Sequence, residues 1–263
     1  MPCELHVVDA FTRSAFRGNP AAVCVLENPA DPVWMQQVAA ELKHSETAFL
    51  SPVSGGWNLR WFTPEQEVEL CGHATLASAF VLWKTGRVPQ GTPVTFETLS
   101  GKLSATQEEG WIDLDFPATP ANAVPPIPGL DKTLGAAPLF VGRNKFDLLV
   151  ELPTADDVCD SEPDMAALAA IPTRGIIVTA ASDLTDVDFV SRFFAPAVGI
   201  PEDPVTGSAH CTLGPYWGEK LNKTELSGFQ CSARGGSVKV RLAGDRVILG
   251  GHAVEVFSGK LQV

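Results

Sequence analysis

Three residues of this chain are suited to moving a proton: Glu46, His73 and Asp203. Glu46 lies in His44-Ser45-Glu46-Thr47-Ala48-Phe49, between a helix end and an apolar strand that demands burial. A carboxylate there loses part of its hydration, its pKa rises, and it can exchange protons near neutral pH. The competing interpretation is a capping or salt-bridged glutamate. His73 follows Cys71 and Gly72 in Glu69-Leu70-Cys71-Gly72-His73-Ala74-Thr75. Glycine at a strand-to-helix turn lets the backbone approach a ligand, and the unpaired N–H groups of the helix start favour an anion such as a carboxylate. A histidine at that start can donate to a substrate or relay a proton; the alternative is a core histidine bonded to backbone. Asp203 stands between the Ile200-Pro201 and Asp203-Pro204 bonds, which hold it extended ahead of Thr206-Gly207-Ser208-Ala209-His210. Gly207 and Ser208 supply backbone and hydroxyl donors at this second start, or serve only as an N-cap after a Pro-rich turn.

The elements that must position these residues come in two copies. Arg60-Trp61-Phe62-Thr63-Pro64 is separated by seven residues from Gly72-His73-Ala74 and a helical run, and Arg192-Phe193-Phe194-Ala195-Pro196 by ten residues from Gly207-Ser208-Ala209 and another. Around each copy the order of apolar strands and Gly-containing turns repeats, which implies an internal duplication. The first helix, 72–84, is apolar nearly all round and belongs inside a core rather than on a surface. The second spans 207–221. Asp31-Pro32 opens a further helix, Asp as N-cap and Pro in the first turn. A short helix is expected over Pro163–Ala170, and Pro117–Pro128, rich in Pro and Ala, reads as a linker.

The fold class is therefore α+β: two pseudo-symmetric halves, each a bent, mostly antiparallel β-sheet wrapped around a central apolar helix. The expected division is 1–119 for the N-terminal half, 120–251 for the C-terminal half, and 252–263 as an extra strand that could pair with either. Equivalent helix starts in two such halves can face each other across a shared cleft.

Bulk composition narrows the partners. A chain of 263 residues with 45% hydrophobic content can bury its own core. Its net charge of −12 argues against nucleic acid and anionic membrane. No apolar stretch reaches membrane-spanning length and no leader is read, so a cytoplasmic location is expected. The six cysteines, Cys3, Cys24, Cys71, Cys159, Cys211 and Cys231, form no C-x-x-C pair and no zinc-type spacing. Five of them are expected to be buried small hydrophobes in a reducing compartment. No Gly-rich nucleotide fingerprint or P-loop is present.

Four segments together carry a specific resemblance: Phe16-Arg17-Gly18-Asn19-Pro20-Ala21-Ala22-Val23, Ser45-Glu46-Thr47-Ala48-Phe49, Cys71-Gly72-His73-Ala74-Thr75 and Glu202-Asp203-Pro204-Val205-Thr206-Gly207-Ser208-Ala209. In order, and through essentially the whole chain, they resemble the PhzF, or phenazine-biosynthesis-like, family. The resemblance implies the diaminopimelate-epimerase fold with its site between two halves. It implies Glu46 as the acid/base, His73 and Asp203 as partners in proton relay and orientation, and Ser45, Gly72, Gly207 and Ser208 as substrate-binding positions. It also implies a small carboxylate substrate, no cofactor, no metal and, by analogy, a homodimer. The best-known reaction of the family isomerises trans-2,3-dihydro-3-hydroxyanthranilate. Two-base epimerases on this fold use one cysteine at each helix start. Here Cys71 occupies the first position, but Thr206 fills the second, and its hydroxyl is far too weak an acid to replace a thiol. A single-glutamate isomerase is therefore expected, with Cys71 structural. The alternatives are a two-base epimerase or racemase of a small amino or hydroxy acid, and a non-catalytic binding protein on the same fold.

Overall fold

The computed structural model describes residues 3–262. The chain divides into two compact units, Met1–Asp115 with Gly250–Val263, and Phe116–Leu249.

In the first unit β1 (Cys3–Ala10) and β2 (Asn19–Val25) form an antiparallel pair. Helix α1 (Pro32–Leu42) begins where Asp31 accepts a hydrogen bond from the Val33 N–H at 2.7 Å, with Pro32 in the first turn, where its missing donor costs nothing. Strand β3 (Thr47–Val53) runs parallel to β2, and β4 (Gly56–Phe62) antiparallel to β3. The two-residue β5 (Glu67–Val68) pairs with β4 and leads into α2 (Gly72–Lys84). Then β6 (Val94–Thr98) lies parallel to β4, and β7 (Gly101–Glu108) and β8 (Trp111–Pro117) follow as antiparallel neighbours. Helix α2 packs against β1, β2 and β3. It buries residues on every side, among them Leu76, Val81, Leu82 and Trp83. A helix without a polar face is stable only in such a place, where each large aliphatic side chain contributes about 1.5–3 kcal/mol on leaving water.

The second unit comprises β9 (Asn122–Ala123), α3 (Leu130–Leu134), β10 (Phe140–Arg143), β11 (Asp147–Glu151), α4 (Ala155–Cys159), α5 (Met165–Ala169), β12 (Gly175–Ala181), β13 (Phe189–Ala195), β14 (Ile200–Asp203), α6 (Gly207–Leu221), β15 (Glu225–Gln230), β16 (Gly236–Ala243) and β17 (Arg246–Gly251). Its pairings repeat those of the first. β10/β11 is antiparallel, β11/β12 parallel and β12/β13 antiparallel; β13 then takes β14 antiparallel and β15 parallel, and β15/β16 is antiparallel. The duplication thus extends from sequence to strand direction. The protein is α+β, with a mixed sheet and an internal helix in each unit.

The last strand, β18 (Ala253–Leu261), pairs antiparallel with β1 along its length, from Ala10↔Ala253 to Cys3↔Leu261. Among the described residues no helix is long and apolar enough to cross a membrane.

Helix α6 carries Pro215 in its interior. Proline has no N–H to give to the carbonyl four residues back. That carbonyl, of Cys211, instead accepts from the Thr119 N–H at 3.0 Å, and the Thr119 and Thr212 hydroxyls meet at 2.9 Å.

Three sequence expectations need correction. Pro117–Pro128 is not a plain linker, because Asn122 and Ala123 pair with β10 and the Val124 N–H donates to Val141. The single helix expected over Pro163–Ala170 is preceded by a second, α4, opened by a capping box between Thr154 and Asp157. Cys159 and Cys231 are joined as a disulfide across 72 residues, which removes two cysteines from the set expected to be free. Cys3, Cys24, Cys71 and Cys211 are buried and lie outside this disulfide.

Candidate active site

The duplicated R-[WF]-F-x-P segment builds the approach to each helix start. Arg60 on β4 donates from Nε and Nη2 to the two oxygens of Glu67 on β5, at 2.6 and 2.7 Å, and its guanidinium lies 5.2 Å from the Phe62 ring. Arg192 on β13 donates in the same way to Glu202 on β14, at 2.7 and 2.9 Å, with its guanidinium 4.8 Å from the Phe194 ring. Residues two apart on a strand share a face, so the arginine can stack on the aromatic while its fork holds a carboxylate. Each fork ties a short strand to a long one just before the chain turns into α2 or α6.

At the first start Cys71 is the N-cap, extended at φ −146° and ψ 114°, and its side chain does not cap the helix. His73, 4% exposed, is the centre of a polar cluster. Its Nδ1 lies 3.2 Å from the Asn19 amide nitrogen and 3.5 Å from Cys71 Sγ; its Nε2 lies 3.3 Å from Ser45 Oγ and 3.2 Å from Glu46 Oε2. With the Asn19 amide donating to Nδ1, the ring proton sits on Nε2, toward Ser45 and Glu46. Glu46 Oε2 is buried but not aligned with the imidazole as a hydrogen bond. Burial pushes the Glu46 carboxyl above its ordinary value, and hydrogen bonds with Ser45 and Cys71 pull the other way without cancelling it. Glu46, Cys71 and His73 each offer one ligand atom within 4.8 Å of the others, donors of types that a soft divalent ion accepts.

Asn19 reaches His73 because the loop before β2 is fixed. Asp9, 1% exposed, accepts from the Phe16 N–H at 2.7 Å. Gly18 has φ +65°, and a Cβ there would lie 2.1 Å from the Ala10 carbonyl oxygen, so only glycine fits.

At the second start Thr206 is the N-cap, again extended (φ −110°, ψ 102°) and again without a side-chain cap. Its hydroxyl donates to Asp203 at 2.5 Å. Gln230, fully buried, holds the corner: its carbonyl accepts from the Thr206 N–H at 2.9 Å, and its amide donates to the Asp203 carbonyl at 2.7 Å. Ser208 accepts from Arg174 Nη2 at 3.0 Å, and Arg174 forms a two-point ion pair with Asp147. His210 is fully buried; its Nδ1 is bonded to the Thr206 carbonyl at 2.9 Å, its Nε2 has no hydrogen-bond partner among the described residues, and burial lowers its pKa to about 4. Thr75 makes the corresponding bond in the first unit, from Oγ1 to the Cys71 carbonyl.

A family profile described as phenazine biosynthesis-like protein matches residues 8–259. The chain belongs to the PhzF family. It is 53% identical to an uncharacterized isomerase of Halalkalibacterium halodurans over 262 residues, covering 99% of both chains. It is 48% identical to an uncharacterized isomerase of Pseudomonas aeruginosa over 263 residues, covering 100% of both. A PhzF family crystal structure from Enterococcus faecalis superposes with a TM-score of 0.96 at 43% identity, covering 100% of both chains. The protein is a PhzF-type isomerase.

Within this PhzF chain, Ser45, Glu46 and His73 come together in the first unit, while Asp203, Gly207 and Ser208 form the second unit's own group around Thr206. Four participants were not singled out from sequence. Asn19 stood inside a family motif without a role of its own. Gln230, Arg174 and Asp147 have no local signature and are joined only by folding. Cys71, expected to be structural, contacts the imidazole.

Proposed function

We propose that this PhzF-type isomerase moves a proton between carbon atoms of a small unsaturated carboxylate, with Glu46 as general acid/base and no cofactor. The observation that supports this most directly is a carboxyl whose pKa is raised by burial, 3.2 Å from an imidazole Nε2. As a carboxylate, Glu46 takes the proton of a C–H bond. The electron pair released forms a new C=C bond, the former double bond shifts, and the carbon at its far end receives the proton back from the Glu46 carboxylic acid. A pKa raised above the ordinary carboxylate value favours both halves of that cycle. His73 orients the carboxyl and donates from Nε2 to charge that develops on the substrate. Asp203 orients the second helix start through Thr206, and Ser45, Gly72, Gly207 and Ser208 bind the substrate.

A two-thiol epimerase would need an acid at Thr206, whose hydroxyl is already given to Asp203. The homodimer is carried over from the family resemblance, and the cytoplasmic location from the want of an apolar stretch of membrane-spanning length.

The test is turnover of trans-2,3-dihydro-3-hydroxyanthranilate and related small unsaturated carboxylates. Glu46→Gln should lower kcat by about 10^3-fold or more with circular dichroism and cooperative unfolding preserved, and Asp203→Ala should weaken both KM and kcat. Wild-type rates from folded Glu46→Gln protein would refute the assignment.

A further inference from the structure

Glu46 and Arg174 hold corresponding places in the two units. Each stands one residue before a strand that runs parallel to its predecessor: Thr47 pairs with Ala22, and Gly175 with Asp147. Each reaches the residue after the helix-start glycine, Glu46 to His73 at 3.2 Å and Arg174 to Ser208 at 3.0 Å. The duplication has put an acid/base at one site and a fixed cation at the other.

The guanidinium is held from three sides. Its Nε and Nη2 donate to the two oxygens of Asp147, whose side chain is 1% exposed, at 2.8 and 2.5 Å. Its plane lies near the Phe146 and Phe193 rings, 5.3 and 5.7 Å from their centroids. Asn144 fixes Asp147 in turn by accepting from the Phe146 and Asp147 N–H groups at 2.6 Å. Taking a carboxylate out of water is costly unless it is paired with good geometry. Here the buried charge secures an arginine whose own side chain is 40% exposed. Nε and both hydrogens of Nη2 are used, and among the described residues Nη1 has no hydrogen-bond acceptor. Ser208 accepts from Arg174, so its own proton points elsewhere and is free to donate. The unused Nη1 of this half-exposed guanidinium and the Ser208 hydroxyl form a preorganised pair of donors for an anion.

We propose that Arg174, positioned by Asp147, recognises the substrate carboxylate together with Ser208, and so determines specificity for acids. This rests on the carboxylate isomerase function proposed above, and goes beyond it in naming the group that reads the charge.

The test uses the matched probes 2-aminobenzoate and 2-aminobenzamide, titrated calorimetrically into the full chain. Wild type should bind the acid at least ten-fold more tightly than the amide. Arg174→Gln should lose that preference, and Arg174→Lys, which keeps charge but not the fork, should recover part of it. Should Arg174→Gln fold poorly with Asp147 unpaired, Arg174→Gln combined with Asp147→Asn removes both charges and should lose the preference equally. Glu46→Gln should keep the preference without turnover. No preference in wild type, or a preference retained in folded Arg174→Gln, overturns the role of Arg174. Turnover retained in Glu46→Gln overturns the proton-transfer reading instead.

Discussion

The helix starts at Gly72 and Gly207 share a backbone and almost no side-chain chemistry. Both follow an extended N-cap residue, both are approached through a short strand held by an Arg–Glu fork, and in both a side chain in the first turn bonds back to the N-cap carbonyl. Around the first, Ser45, Glu46, Cys71 and Asn19 surround a histidine. Around the second, Asp203, Gln230 and Arg174 surround hydroxyl groups that do not titrate near neutral pH. Duplication preserved what sets the backbone and released what sets reactivity. One unit keeps a group that can change protonation state, and the other keeps groups that hold still.

The largest predicted effect breaks this comparison at the proton-transfer group. Glu46→Gln should cost about 10^3-fold or more in kcat, while Cys71→Ser should stay within about ten-fold of wild type. Equal losses in the two variants would restore a thiol mechanism. Next is His210, which is neutral and buried in the folded state. Its pKa of about 4 lies below the ordinary value of 6.5, so the unfolded chain binds the extra proton between those values. Stability should therefore fall as pH drops from about 6.5 toward 4, by about 3 kcal/mol from this group. His210→Thr, which copies Thr75, should remove that part of the slope in urea denaturation measured at pH 4.5 and 7. An unchanged slope would show that His210 does not carry it.

The two forks should differ less. Arg192 also donates to the Ser161 carbonyl at 2.5 Å and is 13% exposed, whereas Arg60 is 21% exposed. Arg192→Met should cost about 2 kcal/mol and Arg60→Met about 1 kcal/mol, discounted for solvent at both sites. Chemical denaturation reads the order, and a reversal would mean the forks are not equivalent supports. The smallest effect is on stability at Glu46. Its raised pKa means the folded state resists ionisation, so the wild type loses stability as pH rises above the ordinary carboxylate value of 4.5. Glu46→Gln should show a slightly higher Tm than wild type at pH 8 and no gain at pH 4, by calorimetry.

Sequence alone made the first central helix visible, because a run such as Ala79-Phe80-Val81-Leu82-Trp83 has no polar face and belongs in an interior, and the repeated start at Gly207 then located the second. Asp31-Pro32 was equally readable, since capping is local chemistry. The two-residue strands β5 and β9 were not, because they exist only through pairing with β4 and β10. The Cys159–Cys231 bond escaped for a similar reason, as spacing does not encode which thiols meet. In the site, Glu46 and His73 were legible from local context, whereas Gln230 and Arg174 acquire their places from residues 24 and 27 positions away. Local pattern finds groups whose chemistry suits proton transfer, and the groups that hold them in place emerge from the folded chain.

The central claim is that one glutamate, outside the duplicated motif, carries the proton. Its most direct test is solvent-deuterium incorporation into the small unsaturated carboxylates that the wild type turns over, followed by NMR for wild type, Cys71→Ser and Glu46→Gln. Deuterium should enter at the exchanging carbon with wild type and Cys71→Ser and be absent with Glu46→Gln. Incorporation retained by Glu46→Gln and lost in Cys71→Ser would contradict the account.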